Sequence, residues 1–214
     1  MSNEHEKQAA AEASVALVED GMTVGLGTGS TVAYLLPALA NRGLTSILCV
    51  ATSPRTEEAA RKLGLAVSPF GDIERFDIAI DGADEVTPDG WLIKGGGAAH
   101  TREKIVAAAA DRFVVIADSS KAVPALRGTV PVEMLAYGLA ATMRRLQPIA
   151  LRDVPRSPDG GVIADYAGPM DDPPGLAAFL SATPGVVEHG LFPPDLVHDV
   201  FIARGDDVEH RHLR

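Results

Sequence analysis

Met22-Thr-Val-Gly25-Leu-Gly27-Thr28-Gly29-Ser30-Thr31 passes from a short apolar run into alternating glycines and then hydroxyls. Before it, Glu6 to Val18 is alanine-rich with apolar positions at helical spacing, and Glu19-Asp20-Gly21 ends that segment. After it, Val32 to Ala40 reads as helix again. Helix, turn, strand, glycine loop, helix is how a doubly wound α/β domain begins, and the next hundred or so residues repeat the alternation. Ile47 to Ala51 is a second strand, and Pro54 to Leu63 starts a helix with Pro followed by Glu and Ala. Phe76 to Ile80, Thr101 to Ala110 and Phe113 to Ala117 continue as strand, helix and strand. The pattern predicts a Rossmann-like open parallel sheet with helices on both faces.

The rhythm changes after Lys121. Val130-Pro-Val, a helix Leu135 to Leu146, strands Ile149 to Arg152 and Val162 to Asp165, a helix after Pro173-Pro174 and a strand Gly185 to Leu191 give the order βαββαβ. That order predicts a second, smaller ferredoxin-like α+β domain. Val200 to Ala203 and the tail around Val208 are expected to rejoin the first domain. The expected division is therefore 1–127 with 200–214 against 128–199.

The chain has 214 residues, of which 46% are hydrophobic and 22% charged, within the globular range. Its formal net charge of -10, with scattered basic residues, argues against nucleic acid as a partner. No run approaches the roughly 18 apolar residues of a membrane span, so no membrane is expected, and the acidic N-terminus without an apolar core reads as cytoplasmic. The single cysteine, Cys49, falls in an apolar strand and reads as a buried thiol.

The glycine loop stands where backbone N–H groups and a helix N-terminus can cradle a phosphate. It is not a dinucleotide fingerprint, because Ser30 occupies the last glycine position and no acid ends the second strand. A P-loop would need a lysine that the loop lacks. One small phosphate, held by amides and by the hydroxyls of Thr28, Ser30 and Thr31, remains, beside the plainer reading of a tight turn without ligand.

Asp81-Gly-Ala-Asp84-Glu85 follows the third strand. Ligands of open parallel sheets bind beyond the carboxyl ends of the strands, so this cluster and Thr28–Thr31 should face one cleft. The plainer reading has Asp81 and Asp84 capping a turn, with Glu85 solvated. A third segment, Lys94-Gly95-Gly96-Gly97-Ala-Ala-His100-Thr-Arg-Glu103-Lys104, places bare amides between a lysine and a glutamate, with Thr101 as the expected N-cap of the next helix. Alone, Glu103 would do no more than favour the helix dipole. Beside two strand-end aspartates, the set supplies a base and several donors for removing a proton next to a carbonyl. Lys7, Lys94 and Lys121 are the candidate cations for a phosphorylated ligand.

Taken in order and spacing, Gly25–Thr31, Thr52-Ser53, Asp81–Glu85, Lys94–Ala98, Thr101–Lys104 and Ala117-Asp-Ser-Ser-Lys121 closely resemble the A-type ribose-5-phosphate isomerases, over nearly the whole chain. The resemblance implies a cofactor-free, metal-free aldose–ketose isomerase of the non-oxidative pentose phosphate pathway that interconverts D-ribose 5-phosphate and D-ribulose 5-phosphate, assembled as a homodimer or homotetramer. It implies that Glu103 is the base acting between C1 and C2. Asp81, Asp84 and Lys94 would assist ring opening and proton movement, and Lys94 with the amides of Gly95, Gly96 and Gly97 would stabilise the enediolate. Thr28, Gly29, Ser30 and Thr31, with Lys7 and Lys121, would hold the substrate, Lys7 at the phosphate. The small domain departs from the family pattern at Ser157–Gly161 and Met170–Pro174, which bears on the assembly contacts. His100 is expected to be a neutral bystander, and His210 and His212 to be solvated. The competing reading is a non-catalytic sugar-phosphate-sensing module of similar fold, which could dispense with the base.

Overall fold

The computed structural model describes residues 3–71 and 73–214. In chain order the first elements are α1 (Asn3–Ser14), β1 (Thr23–Leu26), α2 (Val32–Ala40), β2 (Leu48–Ala51), α3 (Pro54–Lys62), β3 (Ile78–Gly82), β4 (Glu85–Val86), β5 (Leu92–Ile93), α4 (His100–Ala108) and β6 (Phe113–Asp118). They are followed by β7 (Val130–Met134), α5 (Leu139–Arg145), β8 (Ile149–Leu151), β9 (Val162–Tyr166), α6 (Pro173–Ala182), β10 (Val186–His189), β11 (Leu191–Phe192), β12 (Asp199–Arg204) and β13 (Asp207–His212). No helix among the described residues is long and apolar enough to cross a membrane.

The large sheet has the order β13-β12-β6-β3-β1-β2, parallel except for the edge strand β13. Its central strands bury side chains on both faces, which is why they read as continuous apolar runs without polar alternation. Along β6, Val114 and Ile116 join the core beneath α1 and α2, while Phe113, Val115 and Ala117 join the core that also holds Val106 of α4 and Phe192. Cys49 lies in the first of these cores, and burial pushes its thiol up to about 11.

The second sheet has the order β10-β7-β9-β8 and is antiparallel throughout. Its first strand lies between its last and its third, the ferredoxin-like arrangement, with α5 and α6 supplying the crossovers. The Rossmann-like open sheet and the smaller α+β unit are both present as the sequence led us to expect.

Three local expectations change. The helix expected from Leu135 covers only Leu139–Arg145, because Leu135 N–H completes the sheet by donating to the Gly185 carbonyl at 2.9 Å and Gly138 then turns into the left-handed region (φ 69) as the cap. Secondly, the strand expected over Gly185–Leu191 splits at Gly190. Beyond it, β11 leaves the small sheet and pairs with β5, forming a third sheet of order β11-β5-β4. The absent side chain at Gly190 is required there, since a Cβ would lie 2.1 Å from the Lys94 carbonyl oxygen. Gly190 N–H donates to the Pro131 carbonyl at 2.7 Å, and Lys94 N–H donates to the Gly190 carbonyl at 2.8 Å. Thirdly, Thr101 is not an N-cap: Ala99 holds that place without a side-chain bond, and the Thr101 hydroxyl donates to Glu133 on β7 instead.

Candidate active site

The ends of β1, β3 and β6 converge on one side of the large sheet, where parallel strands leave a crevice beyond their carboxyl ends. A cleft of about 290 Å³ opens there, at the small end of the range for small-molecule sites. Its wall is formed by Thr28, Gly29, Ser30 and Thr31, by Gly82, Ala83 and Asp84, by Lys94, Gly95, Gly96, Gly97 and Glu103, and by Lys121. Four separate stretches singled out in the sequence thus meet. Lys7, on α1, is not among these lining residues. Its neighbour Glu6 accepts the N–H groups of Ser119 and Gly205, both at 2.9 Å, which anchors α1 to the turn carrying Lys121.

The glycine loop serves first to seat Asp81. Thr28 N–H donates to Asp81 Oδ1 at 3.0 Å and Gly82 N–H donates to the same oxygen at 2.7 Å. The Thr28 hydroxyl is 2.8 Å from that of Thr52, which ties the loop to the end of β2 while Thr28 still lines the cleft. Ser30 is exposed in the cleft wall, and α2 begins with no side-chain cap and no acid in its first turn. Ala33 and Tyr34 N–H donate to the Gly29 and Thr31 carbonyls, so an anion would meet the helix dipole and the loop amides ahead of them.

Beneath the wall is a buried charge cluster. Lys94 Nζ lies 2.8 Å from Asp81 Oδ2 and 3.1 Å from Glu103 Oε2, with all three side chains at most 4% exposed. Its directed hydrogen bond goes to the Gly82 carbonyl, so charge more than hydrogen-bond geometry ties the ammonium to the two carboxylates. Phe192 adds its ring face, 5.4 Å from Lys94 Nζ and 5.0 Å from Lys104 Nζ.

Two carboxylates and one ammonium out of water leave one negative charge unbalanced, and that imbalance is expensive. Burial pushes Glu103 up to about 8; the Asp81 charge adds to this and Lys94 opposes it. Burial likewise raises Asp81 against the pull of Lys94. For Lys94, burial works against the charged form, but Asp81 and Glu103 overcome it and raise its pKa, so it stays an ammonium. The cluster therefore holds a fixed cation and a carboxyl group able to gain or lose a proton near neutral pH, the condition for efficient general base catalysis.

Asp84 sits at the surface of the same cleft, and its Oδ2 accepts Gly96 N–H at 2.8 Å. The three glycines are consequently not three bare amides: Gly96's is taken. Glu85, solvated in the plainer reading of the cluster, is partly buried and accepts Arg127 N–H at 2.8 Å. His100 is buried under Gly95, and burial pushes it down to about 4, so it is neutral, with Nε2 3.3 Å from the Glu188 carbonyl oxygen. His210 and His212 are exposed as expected, yet both also reach back to the protein. They lie 2.7 and 3.1 Å from the buried carboxylate of Asp199, which Arg112 also grips, and His210 stacks on Phe201.

Residues the sequence did not point to are Phe192, Gly190, Glu133 and Arg152. Glu133 accepts the hydroxyls of Thr101 and Ser157, tying α4, which carries Glu103, to the small sheet. Arg152 donates to the Gly95 carbonyl at 2.8 Å. None has a local signature, because each acts on a partner distant in the chain.

Comparison with known proteins points to one family. The family model for ribose 5-phosphate isomerase A (phosphoriboisomerase A) matches residues 48–207. A ribose-5-phosphate isomerase A of Caulobacter vibrioides is 45% identical over 223 residues, covering 97% of this chain and 98% of that protein. Among solved structures, ribose 5 phosphate isomerase A from Neisseria gonorrhoeae superposes with a TM-score of 0.95 at 31% identity, covering 100% of this chain and 98% of the other. A D-ribose-5-phosphate isomerase in complex with phospho-erythronic acid superposes with a TM-score of 0.93 at 34% identity, covering 99% of this chain and 100% of the other.

Proposed function

The chain belongs to the ribose 5-phosphate isomerase A family and is an aldose–ketose isomerase of the pentose phosphate pathway, interconverting D-ribose 5-phosphate and D-ribulose 5-phosphate; on that premise we propose how its residues divide the reaction. Glu103 is the base. Its carboxylate takes the proton from C2 of the open-chain aldose and returns it to C1, through an enediolate. Substrate carbons exchange oxidation level with each other, so the step needs no redox cofactor.

Lys94 and the free amides of Gly95 and Gly97 stabilise the developing oxyanion, which is worth most in a site shielded from water. Asp81 keeps Lys94 charged and in place. Asp84, at the surface of the cleft, opens the sugar ring and moves protons among the substrate oxygens. The phosphate lies against Gly29, Ser30 and Thr31 at the start of α2, with Lys121 opposite; Thr28 shapes that loop, and Lys7 has no contact in this assignment. The observation that carries the reading is the buried Asp81–Lys94–Glu103 cluster under a cleft of sugar-phosphate size. A module that only sensed the sugar would have no use for a buried base of raised pKa.

We assign residues 1–127 with 200–214 to the catalytic domain and 128–199 to a domain of assembly, in a cytoplasmic homodimer or homotetramer. Support for the second assignment is the set of large apolar side chains exposed there, among them Leu135, Tyr137, Leu151 and Phe179. Light scattering of the purified protein, and of Tyr137→Glu, tests it.

The reaction is tested directly. Purified protein, without added metal or nucleotide, converts ribose 5-phosphate to ribulose 5-phosphate, and Glu103→Gln lowers kcat by at least about 100-fold. Full turnover by that variant would remove Glu103 from the mechanism.

A further inference from the structure

One peptide unit of the glycine loop is gripped from both sides. The Gly95 carbonyl accepts Arg152 Nη1 at 2.8 Å, and the N–H of the same peptide unit, carried by Gly96, donates to Asp84 Oδ2 at 2.8 Å. Arg152 Nη1 also reaches the next carbonyl, that of Gly96, at 3.3 Å. The guanidinium is itself held: its Nε donates to Asp165 Oδ2 at 2.9 Å and its Nη2 to Asp165 Oδ1. Arg152 directly follows β8, and Asp165 lies on β9 opposite Ala150, so both belong to the four-stranded sheet. Asp84, Gly95 and Gly96 belong to the wall of the cleft, which Arg152 does not line.

A peptide between two glycines turns easily, and the two faces it can offer Asp84 differ in sign. With N–H toward the carboxylate the contact is a charge-assisted hydrogen bond; with C=O toward it, the contact is repulsive. Ala98 N–H already donates to the Gly95 carbonyl at 3.0 Å, and the Arg152 cation on the same oxygen makes the reversed orientation costlier still. The cation also polarises the peptide, which strengthens the N–H as a donor at the other end. Arginine suits this task better than lysine, because one edge of its planar fork can hold Asp165 while another nitrogen holds the glycine carbonyl.

We propose that Arg152, seated by Asp165, is a positioning residue of the isomerisation: it sets the Gly95–Gly96 peptide so that Gly96 N–H holds Asp84 in its working place in the cleft. The small sheet thereby acts on the chemistry as well as on assembly. This inference rests on the role assigned to Asp84 above.

The test is a double-mutant cycle on kcat and KM with Arg152→Ala, Asp84→Asn and the double variant. Arg152→Ala lowers kcat about 10- to 100-fold, the cost of a misplaced group, and millimolar guanidinium restores part of it. In the Asp84→Asn background the same substitution changes kcat less than about twofold, and guanidinium restores nothing. Arg152→Lys keeps the charge without the fork. It covers the case in which Arg152→Ala does not fold, and it loses kcat about tenfold. A fall in Tm with kcat intact would make Arg152 a staple between the sheets and overturn the proposal. So would losses that simply multiply in the double variant, with Asp84→Asn itself impaired. If Asp84→Asn alone keeps full kcat, the assignment of Asp84 fails first and takes the proposal with it.

Discussion

A methyl group on Gly27 would lie 1.9 Å from the carboxyl carbon of Asp81. The loop and the acid are fitted to each other, and the close approach lets Thr28 N–H and Gly82 N–H share one Asp81 oxygen. Gly27→Ala therefore displaces Asp81, and with it Lys94. Turnover should fall about 100-fold while far-UV circular dichroism stays native, since the side chain added is small and the loop lies at the surface end of β1. Wild-type turnover in this variant would mean that Asp81 tolerates another position.

The pH dependence of kcat/KM reports the base in the free enzyme. Only the carboxylate form of Glu103 accepts a proton, and burial pushes this group up to about 8. Activity should thus fall as pH drops through the neutral range, with its acid limb far above the 4.5 of an ordinary glutamate. The limb belongs to the Asp81 and Glu103 carboxyls as a pair beside the fixed Lys94 ammonium, because the charge on either carboxyl raises the cost of charging the other. An acid limb near 4.5, measured with saturating buffer controls, would place the proton acceptor elsewhere.

How much of this was open to sequence reading depends on the range of the interaction. Asp81, Asp84, Lys94 and Glu103 stand at strand ends and next to a glycine run, so alternation of strands and helices was enough to bring them together. Both faces of β6 are buried, and that gives a continuous apolar run legible without a structure. Thr101 misled because a hydroxyl at a helix start usually caps it, whereas Glu133, from a strand 32 residues on, competes for it here. Arg152 and Gly190 had no signal at all. Their partners are backbone atoms of the glycine loop and of Lys94, and a bond to backbone leaves no matching residue type to find.

The same raised pKa has a cost in stability with a definite sign. Folded Glu103 holds its proton more tightly than unfolded Glu103, so its contribution is harmless below 4.5, becomes destabilising as pH rises, and is at its worst above about 8. Glu103→Gln removes that penalty and leaves Asp81 and Lys94 as a neutral pair. Its Tm should exceed that of the wild type at pH 9, by about 2 to 4 °C for each kcal/mol relieved, and approach it near pH 4.5. Equal Tm values at pH 9 would mean that Lys94 already offsets the whole charge. Loss of catalysis with gain of stability is the expected trade at a base of this kind.

Lys121 separates binding from chemistry. It ends the Ser119–Lys121 turn on the cleft wall, away from the buried cluster. Lys121→Ala should raise KM for ribose 5-phosphate about tenfold, the worth of one charge-assisted hydrogen bond, with kcat nearly unchanged. A fall in kcat at unchanged KM would move the phosphate off this lysine.

Every side chain assigned to acid–base work lies before residue 104, yet two of the segments that hold them in register arrive much later. Gly190 receives the Lys94 N–H, and β12 pairs along the whole outer edge of β6. During synthesis, then, a nascent chain carries a full set of reacting groups long before it can use any of them. A fragment ending at residue 127 would contain the acids, the lysines and the glycine loop, with an open sheet edge and no partner for the Lys94 N–H. Supplying residues 128–214 as a separate polypeptide would close both, which makes activity itself the readout for whether the two pieces find each other.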